Sequence, residues 1–193
     1  DVEENVIAMK PEAFAPYAVV LGNFNTFGED APATKEWPAE TRQAFLAHMA
    51  KGHGLVIVHA GSSVFYDWAE FQQLACGTWK DGTSHGDIHV SRVTFTGVES
   101  PVTRGLEPFW IRDEFWHDTH VAPGAKPLAV VTPDPAFKGS GKAENILFTT
   151  ETGGARGFAL ILIGIGLLSL LLGTIEHRRD LRSMRQDYPG MPT

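Results

Sequence analysis

The stretch that decides the fold is GHGLVIVHAG (residues 52–61). Its centre, LVIVH (residues 55–59), is a continuous apolar run that ends in a histidine. Apolar runs without alternation are typical of strands that are buried on both faces of a parallel sheet. A second such run, AVVL (residues 18–21), lies upstream and is followed by Gly22. The two runs therefore predict neighbouring parallel strands.

The segment between these strands reads as a helix. PAETRQAFLAHMA (residues 38–50) places Phe45, Leu46 and Met49 on one stripe, starts with proline and is followed by Gly52, as expected of an amphipathic helix. The later predicted elements are one helix and three strands, at residues 64–75, 88–95, 115–121 and 128–132. Alternating strands and helices predict an α/β sheet with helices on both faces.

Composition narrows the class of protein. The chain has 193 residues, of which 43% are apolar and 20% charged, so it can form a packed domain. Its formal net charge of −7 argues against nucleic acid as the main partner. The single cysteine, Cys76, excludes an internal disulfide framework. No G-x-G-x-x-G follows a strand, which argues against a nicotinamide cofactor. We predict neither a cofactor nor a bound metal.

The longest uncharged run lies near the C-terminus. GFALILIGIGLLSLLLGTI (residues 157–175) has 19 uncharged residues, close to the roughly 20 that a membrane-spanning helix needs. This predicts a body (1–156), a transmembrane helix (157–175) and a basic polar tail (176–193). The four arginines of the tail favour a membrane anchor with a cytoplasmic C-terminus and an extracytoplasmic body. The segment from residue 163 onward also resembles the terminal helix of small bacterial inner-membrane proteins, which implies a bacterial membrane. The alternative is a buried strand or helix of a soluble protein, cytoplasmic or periplasmic.

Several blocks of the body occur in a familiar order. They are residues 52–61, Phe65, residues 68–71 (WAEF), residues 74–79 (LACGTW), His85 and residues 101–116 (PVTRGLEPFWIRDEFW). Together they resemble the ThuA-like family, associated with trehalose utilisation, over about residues 17–148. The resemblance implies a three-layer α/β sandwich similar to flavodoxin and to class I glutamine amidotransferases. It also implies a role in the metabolism of disaccharides and their keto forms.

The resemblance also marks departures from the family. It implies that the family's first strand and helix are missing, so we expect an N-terminally incomplete domain. The chain begins at Asp1 and not at methionine, so we also expect a processed protein or a fragment. Residues 145–162 resemble the family's late hairpin. A strand at residues 157–162 would leave 13 residues for the membrane, which is too short. A true fusion, a frameshifted or chimeric reading frame and a fragment all stay open.

The cysteine is not expected to be a nucleophile. In the related amidotransferases, the nucleophilic cysteine lies in the turn after the strand that corresponds to residues 55–59 of this chain. This chain has His59, Ala60 and Gly61 there, which argues against thiol-based amide hydrolysis. Cys76 stands where the family usually has a glycine, and we interpret it as a small buried residue.

Candidate site residues follow the predicted strands. In open α/β sheets, ligands bind beyond the carboxyl ends of the strands. Asn23 and Asn25 follow the first strand, and His59 closes the second. A histidine at this position suits proton transfer or the binding of a hydroxylated ligand. The alternative is a strand-end histidine that is bonded to a loop carbonyl.

The densest polar cluster begins at Asp113 and Glu114, which the resemblance also marks. If residues 115–121 form one strand, then Glu114, Trp116, Asp118 and His120 share one face. A carboxylate, an indole and an imidazole on one face suit sugar binding or acid–base chemistry. The alternative is an acidic edge strand that faces water.

Two other features allow a structural or a functional interpretation. Trp79 lies in a glycine-rich loop, where ligand contact and packing are both plausible roles. His85 and His89 flank Asp87, but on an extended segment their Cα atoms would be roughly 13 Å apart. We therefore prefer hydrogen-bonded or solvated histidines to a shared metal ion.

The leading hypothesis is a carbohydrate-active domain that acts on a small-molecule sugar or keto-sugar. His59 and Glu114 are the predicted catalytic residues. The predicted ligand-binding residues are Asn23, Asn25, Trp79, His85, Asp113 and Trp116. Two alternatives stay open, namely a non-catalytic sugar-binding module tethered to a membrane and an inactive fragment.

Overall fold

A computed structural model describes residues 9–25, 37–152 and 157–162. The two helices are α1 (Ala39–Ala50) and α2 (Ala69–Ala75). The strands are β1 (Val19–Gly22), β2 (Gly54–Val58), β3 (Gly77–Thr78), β4 (Ser84–His85), β5 (His89–Phe95), β6 (Phe109–Asp113), β7 (Trp116–His117), β8 (His120–Val121), β9 (Lys126–Val131), β10 (Glu144–Thr152) and β11 (Gly157–Leu162). Short 3₁₀ helices cover Pro11–Phe14, His59–Ser62 and Pro135–Phe137.

Seven strands form one mixed sheet in the order β1-β2-β11-β10-β9-β5-β6. Strands β1, β2 and β11 are parallel, with Val20 opposite Leu55. Every later neighbour pair is antiparallel. The parallel pairing predicted for the first two strands is confirmed, and the described residues form a mixed α/β fold. The pattern of a parallel sheet therefore applies to only two of the six neighbouring strand pairs in this sheet, and the three-layer arrangement stays a prediction.

Strand β11 occupies the start of the predicted transmembrane helix. Ala159 pairs with Leu55 on one side and with Thr150 on the other, so β11 is an interior strand of the sheet. The membrane helix predicted from residue 157 is therefore wrong over residues 157–162. An uncharged run suits an interior strand as well as a membrane helix, because neither faces water. The late hairpin expected at residues 145–162 is confirmed.

The rest of the predicted span and the tail, residues 163–193, lie outside the described part of the chain. Within the described residues, no helix combines the length and the hydropathy that crossing a bilayer requires. Membrane anchoring and the orientation of the body therefore stay predictions.

An aromatic core fixes the segment that follows β2. Trp37, Phe45, Phe65, Trp68 and Phe71 are each at most 5% exposed, and their rings contact one another at centroid distances of 4.9–6.3 Å. Full burial of such a side chain stabilises the fold by roughly 1.5–3 kcal/mol. The core therefore holds the segment from His59 to α2 in place.

The second predicted helix is shorter than the sequence indicated. It was expected over residues 64–75 but begins at Ala69. Phe65 has φ 52°, a left-handed conformation that cannot continue a right-handed helix. Trp68 is buried in the aromatic core, consistent with a packing role.

The predicted strand at residues 115–121 is wrong as a single element. It is split into β7, which pairs with β4, and β8, which pairs with β3. Between them Asp118 has φ 54°, which breaks the alternation of an extended chain. The result is two small ribbons in place of one strand.

The pairings also fix the direction of β6. Successive antiparallel neighbours from β11 to β6 give β6 the same direction as β2. The residues that follow both strands therefore leave the sheet at the same edge. Strand β5 pairs with β6 over five positions but with β9 only at Thr94 and Phe95. The β5–β6 ribbon can thus diverge from the sheet and carry its end toward β2.

Candidate functional site

His59 follows β2 directly and opens a turn of 3₁₀ helix. Its φ of 41° is left-handed, which costs a non-glycine residue roughly 1–2 kcal/mol. The turn is held by Ser62, whose hydroxyl donates to the His59 carbonyl (2.9 Å). A Cβ on Gly61 would overlap the carbonyl of Gly22, so only glycine allows this turn to pack on the end of β1. Such strain at a strand end often marks a functional residue.

Glu114 follows β6 and is held by its neighbours in the chain. Its backbone N–H donates to Oδ1 of Asp113 at 2.8 Å. The indole Nε1–H of Trp116 donates to Oε1 of Glu114 at 2.9 Å. Asp113 is buried, so its carboxylate shapes the turn that presents Glu114.

The Glu114 carboxylate lies between two imidazoles. Its Oε1 is 3.2 Å from Nε2 of His59, and its Oε2 is 3.4 Å from Nδ1 of His85. The side chains of His59, Glu114 and His85 are 21%, 26% and 45% exposed. All three side chains are therefore partly exposed and open to a ligand.

The hydrogen bonds suggest which nitrogen of His85 carries its proton. Nδ1 of His85 lies 2.9 Å from the carbonyl of Gly86, and a carbonyl only accepts. Nδ1 of His85 is therefore assigned as the protonated nitrogen, with the Glu114 carboxylate as a second acceptor.

Two tryptophans complete the group that we call the Glu114 cluster: His59, Trp79, His85, Glu114 and Trp116. The Trp116 ring lies 4.8 Å from that of His59 and 4.8 Å from that of Trp79, measured between centroids. Trp79 also lies 5.9 Å from the His85 ring. The cluster thus combines a carboxylate, two imidazoles, the half-buried ring of Trp79 and the buried ring of Trp116.

The structure brings five of the eight predicted site residues together in this cluster. Asp113 supports the cluster from its buried position. Asn23 and Asn25 are exposed beyond the end of β1, and no hydrogen bond joins them to the cluster within the described residues. Their predicted ligand-binding role stays a prediction.

The predicted shared face is correct only as far as Trp116. Beyond the left-handed Asp118, the side chains turn to other partners. The carboxylate of Asp118 pairs with Lys142 at 2.6 Å, and Nε2 of His120 lies 2.9 Å from the carbonyl of Asp81. Lys142 lowers the pKa of Asp118, and Asp118 in turn raises the pKa of Lys142.

His85 and His89 have separate partners. The buried His89 ring lies with Nδ1 2.8 Å from the Asp87 carbonyl, while its Nε2 accepts from the N–H of Asp134 at 3.1 Å. Both nitrogens of His89 are therefore engaged away from His85. Among the residues that the structure describes, no group of three or more His, Cys, Asp or Glu side chains could hold a metal ion.

Cys76 is fully buried, with φ 61° at the end of α2. Burial raises the pKa of Cys76 to about 12, so the reactive thiolate is scarce at neutral pH. This agrees with the interpretation of Cys76 as a small buried residue.

Sequence reasoning missed an open hollow beside the cluster. The hollow has a volume of about 730 Å³ and is lined by side chains that include Tyr66, Trp79, Lys80, Asp81, Thr83 and His120. We call it the Trp79 hollow. Its walls come from three separate segments of the chain, and the glycine-rich loop around Trp79 was the one signal that pointed to it.

The family is decided by the sequence itself. Residues 1–161 match the model of a family described as ThuA, trehalose utilisation. The chain belongs to the ThuA family. Membership supports a carbohydrate-related role at the level of the family. A search of curated proteins finds no significant match.

One solved structure agrees with this assignment, and two more distant ones share the fold. A ThuA-like protein from Parabacteroides merdae is 28% identical with a TM-score of 0.63, over 76% of this chain and 60% of that one. The cytoplasmic protein STM1381 of Salmonella typhimurium is 13% identical with a TM-score of 0.52, over 79% and 62% of the two chains. Protein STM3548 of Salmonella typhimurium is 12% identical with a TM-score of 0.53, over 81% and 65%.

The last two likenesses show the fold alone. This ThuA chain spans under two thirds of the length of each of the three proteins.

Proposed function

We propose that this ThuA chain binds a sugar or keto-sugar at the Glu114 cluster and that His59, paired with Glu114, transfers a proton during its conversion. The observation that carries the proposal is the Glu114 carboxylate, which contacts the imidazoles of His59 and His85 and accepts from the Trp116 indole. A carboxylate that orients an imidazole is a recurring arrangement in acid–base catalysis.

The pairing gives each side chain a distinct task. When Nε2 of His59 carries the proton and donates a hydrogen bond to Glu114, Nδ1 of His59 has the free lone pair. That nitrogen can accept a proton from a sugar hydroxyl or from a carbon beside a keto group. The carboxylate of Glu114 then stabilises the imidazolium that forms. The Trp116 indole keeps the carboxylate in place during this step.

The aromatic side chains support a sugar as the ligand. Trp79 is half-buried and offers an apolar face beside the imidazole of His85, which in turn contacts Glu114. Sugar rings have apolar C–H faces and polar edges, so an aromatic surface next to hydrogen-bonding groups matches both. Membership of a trehalose-utilisation family supports the same class of ligand.

A non-catalytic sugar-binding module is the second candidate. It is favoured by the three donors around Glu114, because a carboxylate that is already well bonded suits recognition as well as chemistry. Tethering of such a module to a membrane stays a prediction.

The deciding experiment is Glu114→Gln in the full chain. Turnover and binding would be measured on trehalose, other disaccharides and their 3-keto derivatives, by chromatography and calorimetry. We expect turnover to fall roughly 100-fold or more, while binding changes only a few-fold. The exposed Glu99→Gln is the matched control and should change neither.

Other results would separate the candidates. Binding without turnover in the parent protein, unchanged by Glu114→Gln, would identify a non-catalytic module. If no sugar in the panel binds, both candidates are wrong.

A further inference from the structure

We propose that the Trp79 hollow is a second subsite, which holds the part of the substrate remote from His59 and takes an uncharged sugar unit. This inference rests on the proposed function of the Glu114 cluster. It assigns the second unit of a neutral disaccharide, the class of ligand that the family already implies, to this hollow.

One side chain joins the two places. Trp79 lines the hollow, and its ring also contacts Trp116 and His85 within the cluster. Within the described residues, neither His59 nor Glu114 lines the hollow. The hollow therefore lies beside the Glu114 cluster, and Trp79 is the side chain that the two places share. A ligand that extends past one ring can contact both.

The size of the hollow fits a small-molecule ligand. Its volume of about 730 Å³ lies within the roughly 300–1,000 Å³ that is typical of such sites. A smaller hollow of about 360 Å³ adjoins it and shares Tyr66, Lys80 and His120 as walls. The space thus continues away from the Glu114 cluster.

The charges in the walls favour a neutral ligand. Lys80 and Asp81 carry opposite charges and both line the Trp79 hollow, while Asp67 lines the adjoining one. A phosphate group needs an excess of positive charge, usually from arginine or lysine. Sugar hydroxyls donate and accept, so they can use the lysine ammonium and the carboxylate at once.

Tyr66 adds a neutral hydroxyl to this set. Burial, together with the negative charge of Asp81, raises the pKa of Tyr66. The phenol therefore stays protonated at neutral pH and can donate a hydrogen bond to a sugar oxygen.

Hydrogen bonds connect the walls of the hollow to the cluster. The Thr83 hydroxyl accepts from the N–H of Lys80 (3.2 Å) and donates to the carbonyl of Asp118 (3.2 Å). Asp118 lies two residues after Trp116, so the loop that lines the hollow is fastened to the segment that carries the cluster. A preformed subsite costs less entropy when the ligand binds.

The test compares one sugar unit with two. Calorimetry on the full chain would measure the affinities for glucose, trehalose and trehalose 6-phosphate. We expect the parent to bind trehalose more tightly than glucose or the phosphorylated sugar. Asp81→Asn should weaken trehalose binding about 10-fold, the scale of a hydrogen bond to a charged group, and leave glucose binding within about 2-fold.

Two further variants make the outcome decisive. Asp87→Asn is the matched control, since Asp87 is exposed and pairs with Lys138 away from the hollow, and it should change neither affinity. Tyr66→Phe keeps the ring and should also weaken trehalose selectively, which covers the case that Asp81→Asn does not fold.

The failures are distinguishable. If these variants weaken the binding of glucose and of trehalose equally, or change the binding of neither sugar, the proposed subsite is wrong while the proposed function stands. Tighter binding of trehalose 6-phosphate would overturn the preference for a neutral sugar. Absence of binding by all three sugars, together with no sugar bound in the Glu114 experiment, would overturn both proposals.

Discussion

Strand β2 has a group of histidines at each end, and the two groups differ in what faces the imidazoles. At its start, Nδ1 of His53 lies 3.0 Å from Nδ1 of His48 on α1, and the two rings are 3.9 Å apart between centroids. At its other end, His59 faces the carboxylate of Glu114. In these contacts the His48–His53 pair has no carboxylate partner, whereas His59 has Glu114.

The neighbours decide what each imidazole can do. His48 is 5% exposed, and its burial, the nearby His53 and the charge of Lys51 all lower the pKa of His48. Among the described residues, the charged groups that act on His48 are His53 and Lys51, and both oppose a proton there, so the pair suits a neutral structural contact. A proton added to His59 meets Glu114. Histidine therefore has a packing role at the start of β2 and a candidate chemical role at its end.

Substitution of His59 should have a far greater effect than substitution of His53. His59→Asn should reduce turnover of the sugar substrate by roughly 100-fold or more, because it removes the proton-transfer group. The matched variant at the other end, His53→Asn, should leave turnover unchanged. Turnover of both would be measured under conditions in which each variant is folded. Equal losses in the two variants would contradict the distinction.

The next effect concerns stability and pH. In the unfolded chain a histidine binds its proton near pH 6.5, whereas His48 in the folded chain binds it less readily. The free energy of unfolding should therefore fall as the pH drops below 6.5, by at most about 1.4 kcal/mol per pH unit for this one group.

Urea unfolding at pH 8, 6.5 and 5.5 would measure this loss. His48→Gln, which cannot titrate, should show a shallower decline than the parent. An identical pH profile for the two proteins would rule out His48 as a contributor.

Glycine and alanine substitutions should have opposite relative stabilities at His59 and His48, although the differences are small. His59 has a left-handed φ, so His59→Gly should be about 1 kcal/mol more stable than His59→Ala. His48 lies in α1, where His48→Gly should instead be roughly 0.5–1 kcal/mol less stable than His48→Ala. Thermal or urea unfolding of the four variants checks the opposite signs. The same sign at both positions would show that strain at His59 is negligible.

Local patterns predicted the parallel pair β1 and β2 well. The runs at residues 18–21 and 55–59, with the helix between them, contain enough apolar periodicity to define β1, α1 and β2. They also placed His59 at the carboxyl edge of the sheet. These predictions depend on residues close in the chain, which is why they needed no tertiary information.

Predictions that depended on distant contacts were less complete. Glu114 was selected as a polar residue, but its contact with His59 spans 55 positions of the chain and depends on the direction of β6. Asp118 was expected to share its face, yet its left-handed backbone gives no signal in a pattern of side chains. The Trp79 hollow was missed because its walls come from three segments.

Apolar runs and motifs are properties of contiguous residues, so they were enough to predict the candidate site residues, the parallel pair of strands and the resemblance to a sugar-related family. The fold was needed to show that residues 157–162 are an interior strand, since an uncharged run is equally suited to lipid and to the middle of a sheet. It also decided which imidazole meets a carboxylate, because that contact requires β2 and the distant β6 to end at one edge.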